Sequence, residues 1–137
     1  MMTDVKPKSA SLHKYLMSIF LLVLLSSLSL DSMAQVTDTI LVQNLYFPKP
    51  GKEEEVFKWR LHASEVRAKL GLPKGRVLKK LSGSGGPFVI WECQYPSLEA
   101  REKDVTILDK SDEFKEVQAH MSTLLDKFER YVFAIHK

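Results

Sequence analysis

Residues 76–95 read RVLKKLSGSGGPFVIWECQY, and the reading of this stretch decides the fold. Two strand-like runs, the Lys-bearing Arg76–Ser82 and the β-branched and aromatic Phe88–Tyr95, flank Gly83-Ser84-Gly85-Gly86-Pro87. Glycine and proline reverse a chain, so the stretch predicts two antiparallel strands joined by a flexible tip. The tip is not a phosphate loop, because it lacks the Lys-Ser/Thr ending and leads into a strand and not into a helix N-terminus.

Before the hairpin, Lys52–Leu70 has no Pro or Gly, opens with Glu53, Glu54 and Glu55, and stops at Gly71 with Pro73 beyond. Acids at the positive end of the helix dipole and glycine at the other end mark a helix. Ahead of it, Thr39–Phe47 (TILVQNLYF) reads as a first strand, closed by Pro48-Lys49-Pro50-Gly51. After the hairpin, Pro96-Ser97 starts a second helical region that breaks near Lys110. Ser111-Asp112 offers a new N-cap for Glu113–Arg130, where Phe114, Val117, Met121, Leu124, Leu125 and Phe128 recur at three- and four-residue spacing. Tyr131–His136 reads as a last strand.

The order strand, helix, strand, strand, helix, strand predicts an α+β, ferredoxin-like βαββαβ domain: a four-stranded antiparallel sheet with the helices on one face. These strands are apolar on both sides. Phe88 and Ile90 alternate with Val89, Trp91, Cys93 and Tyr95; Ile40 and Val42 alternate with Leu41, Leu45 and Phe47. A sheet face not covered by helices then needs a partner, and a homodimer whose two sheets form a shared α+β barrel is expected.

The chain has 137 residues, 20 Lys+Arg against 17 Asp+Glu, and is 45% hydrophobic, which fits one ordinary globular domain. The net charge of +3 is scattered, so the basic stripe of a nucleic-acid binder is missing and no nucleic-acid partner is expected. Residues 1–15 hold Lys6, Lys8, His13 and Lys14; an apolar run from Leu16 to Leu30 follows and ends near Ser32-Met33-Ala34. Those are the three parts of a cleaved signal peptide, residues 1–34, with cleavage before Gln35. Fifteen helical residues at ~1.5 Å each fall short of a ~30 Å hydrocarbon core. No membrane anchor is therefore expected after cleavage, and the location is secreted or periplasmic. Removing 34 of 137 residues leaves a domain of 103, residues 35–137, and takes away three lysines and two aspartates, so +3 becomes +2. The single thiol, Cys93, is expected to be buried, with pairing between chains as the alternative.

Two segments carry a resemblance. Tyr46-Phe47-Pro48-Lys49-Pro50-Gly51-Lys52 before the acidic helix start, and Tyr95-Pro96-Ser97-Leu98-Glu99-Ala100-Arg101-Glu102 after the third strand, resemble the NIPSNAP family of the dimeric α+β-barrel superfamily. The likeness spans about residues 39–133 and implies a dimeric barrel of mostly unassigned chemistry, with no catalytic residues to carry over. The superfamily also holds antibiotic-biosynthesis-type monooxygenases that need no cofactor, and haem-degrading monooxygenases, with cavities beside the sheet. Asn44 resembles the first-strand Asn of the haem degraders, but Gln118 and Leu108 stand where their His and Trp would be. No cofactor is expected.

Asn44, Tyr46, Trp91, Glu92 and His120 are the candidate ligand-binding residues for a small apolar molecule. Asn44 lies mid-strand in an apolar run, where it either orients a ligand or satisfies neighbouring backbone. Glu92 shares a strand face with Ile90; it is either a proton acceptor with a raised pKa, as a cofactor-free monooxygenase needs, or a barrel glutamate bridged to Lys or Arg. On the first helix Arg60 and Arg67 fall between two apolar clusters. They clamp an anion, meet internal carboxylates such as Glu92, or lay their stems on the core and reach water. His62, His120 and His136 lie in three different elements, so no metal site is expected; His120 has Glu116 one turn earlier as an ordinary surface pair. Three functions stay open: a binder of a small apolar molecule with catalysis unproven, a cofactor-free monooxygenase, and a non-catalytic interaction module.

Overall fold

A computed structural model describes residues 38–136 of the chain. The expected leader, residues 1–34, lies outside the described residues. The elements run β1 (Thr39–Pro48), α1 (Glu53–Lys69), β2 (Arg76–Lys79), β3 (Val89–Tyr95), α2 (Leu98–Asp109), α3 (Asp112–Leu124) and β4 (Leu125–Ile135). The strands form one four-stranded antiparallel sheet in the order β2-β3-β1-β4.

Local chemistry accounts for most boundaries. Helix α1 closes in a Schellman motif: the Leu72 N–H donates to the Arg67 carbonyl and the Gly71 N–H to that of Ala68, both at 3.0 Å, with Gly71 at φ +74°. Ser97 caps α2 by accepting from the Ala100 N–H at 3.1 Å, and Ser111 caps α3 by accepting from the Phe114 N–H at 3.2 Å. The expected break near Lys110 is where α2 ends and α3 begins.

Period-two alternation sorts the strands. Ile40, Val42, Asn44 and Tyr46 of β1 lie opposite Tyr95, Cys93, Trp91 and Val89 of β3, and all eight are buried on the face beneath the helices. The apolar members pack against Val56 of α1 and Met121 and Leu124 of α3. A second cluster, Ala63, Val66, Leu108, Phe114 and Val117, fills the space among the three helices. Complete burial of Val56, Val66 and Val89 stabilises the fold by about 1.5–3 kcal/mol each. The other sheet face carries Leu41, Leu45, Leu78, Ile90 and Phe133 beside Gln43, Glu92 and Gln94, and no helix among the described residues covers it.

One boundary differs from the expectation. The helix expected over Glu113–Arg130 ends at Leu124, and the last strand starts at Leu125 and not at Tyr131. The helical spacing continues through Leu125 and Phe128, but residues 125–135 supply the partner for the whole second edge of β1, from Thr39↔Ile135 to Pro48↔Leu125. A helix through Arg130 would have left much of that edge without backbone partners. Strand β2 is also shorter than expected, ending at Lys79; Leu81 beyond it is almost fully exposed.

Candidate functional site

A cavity of about 260 Å3 lies between the sheet and the three helices. Val42, Asn44, Tyr46 and Trp91 form its sheet wall, Arg60 and Arg67 come from α1, and Leu108, Phe114, Val117 and Met121 supply apolar walls from α2 and α3. Exposed lining residues, among them Gln118, Ser122 and Arg130, show that it opens to solvent. A packed core tolerates few voids larger than water, so this space is a feature of the fold.

Arg60 and Arg67 lie two turns apart on one face of α1, and both side chains are buried. Neither is more than 4% exposed. Arg67 is fully engaged: it donates from Nη1 to Asp104 Oδ1 at 3.0 Å, from Nη2 to Asp104 Oδ2 at 2.5 Å and to the Tyr95 hydroxyl at 3.1 Å, and from Nε to the Pro73 carbonyl at 2.7 Å. Burial is the largest single effect and opposes its charge, but Asp104 and Tyr95 together outweigh it and raise its pKa above the ordinary arginine value. Burial pushes the Tyr95 phenol well above its ordinary value; Arg67 opposes that shift and Asp104 adds to it.

Arg60 has no such partner. It donates to the Tyr46 hydroxyl at 3.2 Å and to Ser64 Oγ at 3.3 Å, and its buried Nε–H has no acceptor. No carboxylate pairs with it among the described residues. Burial pulls its pKa below the ordinary value, with Tyr46 working in the opposite direction. The Trp91 ring lies beside both guanidinium groups, its centroid 5.2 Å from Arg60 Cζ and 4.7 Å from Arg67 Cζ, within cation–π range. Trp91 is held in turn by Nε1–H donating to the Lys74 carbonyl at 2.8 Å. Gly75, at φ +71°, leaves room for it: a Cβ there would stand 2.2 Å from Trp91 Nε1.

The sequence candidates divide in space. Asn44, Tyr46 and Trp91 share the cavity wall, and Asn44 Oδ1 accepts from Arg130 Nε of β4 at 2.8 Å. Glu92 does not join them: it projects from the uncovered sheet face, where it accepts from Gln43 Nε2 at 2.9 Å and pairs with Arg76. The Gln43 amide and then Arg76 hold its carboxyl below the usual range against the opposing effect of burial, the reverse of the raised pKa a proton acceptor needs. His120 also stands outside the cavity. It packs on Trp59, ring centroids 4.2 Å apart, and its partner is Glu55 of α1 at 3.3 Å in place of Glu116. Cys93 is a buried free thiol whose pKa burial raises. Among the described residues no group of three or more His, Cys, Asp or Glu is placed to hold a metal ion.

Sequence reasoning missed Asp104 and Tyr95 as members of the site. The signal was present for Asp104: Ala100, Asp104 and Leu108 recur every four residues, so an acid stands inside the buried stripe of α2.

No protein-family model matches the chain, and no curated protein matches it. Solved structures do. A NIPSNAP family protein from Agrobacterium tumefaciens superposes with a TM-score of 0.55 at 19% identity, covering 73% of this chain and 88% of that one. A dimeric protein of ferredoxin-like fold from Bacteroides fragilis gives 0.56 at 12% identity, covering 71% and 96%. This chain has the ferredoxin-like fold. A putative antibiotic biosynthesis monooxygenase from Bacteroides thetaiotaomicron gives 0.53 at 13% identity over 73% and 90% of the two chains.

Proposed function

We propose that the protein is a homodimeric α+β-barrel protein of NIPSNAP type, secreted or periplasmic, that binds a small and largely apolar molecule in the cavity between its sheet and helices. The observation that carries this reading is the open cavity of about 260 Å3, walled by Val42, Leu108, Phe114, Val117 and Met121 in a region that packing would otherwise fill. Its volume equals roughly nine waters at about 30 Å3 each, enough for a ligand of about ten non-hydrogen atoms.

Support for the NIPSNAP type comes from the two resembling segments, which bridge β1 to α1 and β3 to α2. Support for the dimer comes from the uncovered apolar sheet face and from the dimeric Bacteroides fragilis structure of the same fold. Secretion rests on the three-part leader pattern of residues 1–34. The reading is of binding and assigns no reaction. Glu92 lies off the cavity, and Asp104, the buried carboxylate on its wall, is ion-paired to Arg67, so neither is a free base.

Native mass spectrometry of protein isolated from its own host tests the proposal. The expected result is twice the mass of a chain beginning at Gln35, with a retained small molecule that Val117→Trp, which fills the cavity, displaces. A bare monomer that takes up none of the host's small molecules refutes it.

A further inference from the structure

The two arginines of α1 form an internal comparison. At Arg67 the fold provides a carboxylate, a phenol and a backbone carbonyl. At Arg60, one pair of turns away and equally buried, it provides two hydroxyls and leaves most of the five guanidinium N–H groups unengaged, Nε–H among them. Removing an arginine's charge from water is strongly unfavourable unless an anion compensates it. Trp91 offsets part of that cost, but it serves both arginines. The remaining charged residues on the cavity wall do not help: four arginines (60, 67, 101 and 130) face two aspartates, and Asp104 is committed to Arg67. The other, Asp109, is exposed and makes no ion pair with Arg60.

We infer that the cavity ligand is an amphipathic carboxylic acid, bound as its anion, with the carboxylate at Arg60 and the apolar body against Leu108, Phe114, Val117 and Met121. This rests on the binding reading proposed above and narrows it. A planar carboxylate matches the guanidinium fork, and one negative charge balances the one buried arginine on the wall that has no counter-ion. A phosphate dianion would bring a second charge, and the wall's other unpaired arginines among the described residues, Arg101 and Arg130, are not buried.

Matched acid and alcohol pairs test the inference: hexanoate to dodecanoate with the corresponding alcohols, and 2-naphthoate with 2-naphthalenemethanol, titrated into the purified protein by calorimetry. The acids that fit should bind roughly tenfold or more tightly than their alcohols, as a charge-assisted pair in a desolvated site does. In Arg60→Met this preference, read as the ratio of acid to alcohol affinity, should vanish. Arg60→Lys, which keeps the charge and loses the fork, should retain a preference reduced by roughly threefold or more. Thermal melts supply a second readout: without ligand Arg60→Met should melt no lower than wild type, and only wild type and Arg60→Lys should be raised by an acid. Equal binding of acids and alcohols by wild type overturns the inference and leaves the apolar-ligand reading intact. Acid preference that persists in both variants, or an Arg60→Met variant that is strongly destabilised with its acid binding unchanged, assigns Arg60 a structural role and also overturns it. Binding of neither member of any pair overturns both readings.

Discussion

At the scale of single residues, the site is a contrast between an arginine with a counter-ion and one without. Arg67 and Asp104 are each nearly inaccessible to water, so their pairing matters far more than an ion pair on the surface such as Lys103–Glu99. Asp104→Asn keeps the shape and removes the charge, leaving Arg67 buried and unpaired. The variant is expected to lose about 3–5 kcal/mol of stability, measured as a lowered midpoint in urea, whereas Tyr95→Phe should lose about 1 kcal/mol. A loss at Asp104→Asn no larger than at Tyr95→Phe would show that the pair is not the anchor of this wall. The spacing of Arg60 and Arg67 inside an apolar arc was readable from the chain. That Asp104 meets only the second of them was not, because the pairing joins residues 37 positions apart on different helices.

At the scale of elements, the wall of the cavity depends on a connection that sequence patterns treat as ordinary loop. Gly75 precedes β2 and stands against Trp91 of β3, whose Nε1–H is fixed by the neighbouring Lys74 carbonyl. Alanine at this position suffers twice, from its positive φ and from a Cβ placed 2.2 Å from Trp91 Nε1 and 2.8 Å from the Glu92 carbonyl. Gly75→Ala is expected to cost about 2 kcal/mol or more and to shift Trp91 fluorescence, whereas Gly83→Ala, where a Cβ meets nothing within 4 Å, should leave that fluorescence unchanged. The end of α3 makes the same point from the other side. Periodicity carries Phe114, Val117, Met121 and Leu124 into one helix face, but the same spacing runs on to Phe128, which instead pairs across the sheet with Tyr46, rings 5.3 Å apart. Helical period cannot say where a helix gives way to a strand whose partners lie 77 to 96 residues earlier, from Pro48↔Leu125 to Thr39↔Ile135.

At the scale of the whole molecule, the sheet has one face beneath helices and one without. On the uncovered face Ile90 of β3 lies between Leu45 of β1 and Leu78 of β2, with the Gln43–Glu92–Arg76 cluster beside them. That mixture of apolar centre and paired polar groups suits the proposed contact with a second copy, and a buried lysine at its centre would oppose it. Ile90→Lys is expected to convert a dimer to a folded monomer in sedimentation velocity, with the circular dichroism of the sheet retained. A variant that sediments as wild type would remove this face from the contact.

The order of the elements, the caps at Ser111 and Gly71, the buried thiol and the two-sided apolar character of β1 and β3 could all be taken from the chain alone. Each rests on neighbours within a few positions, where spacing, turn residues and terminal caps act directly. Tertiary structure alone decided which side of the sheet Asn44 and Glu92 occupy, where α3 stops, and which arginine is left without a counter-ion. Those outcomes depend on strand register and on helices meeting across the core, and a one-residue slip or a different helix crossing would reverse every one of them.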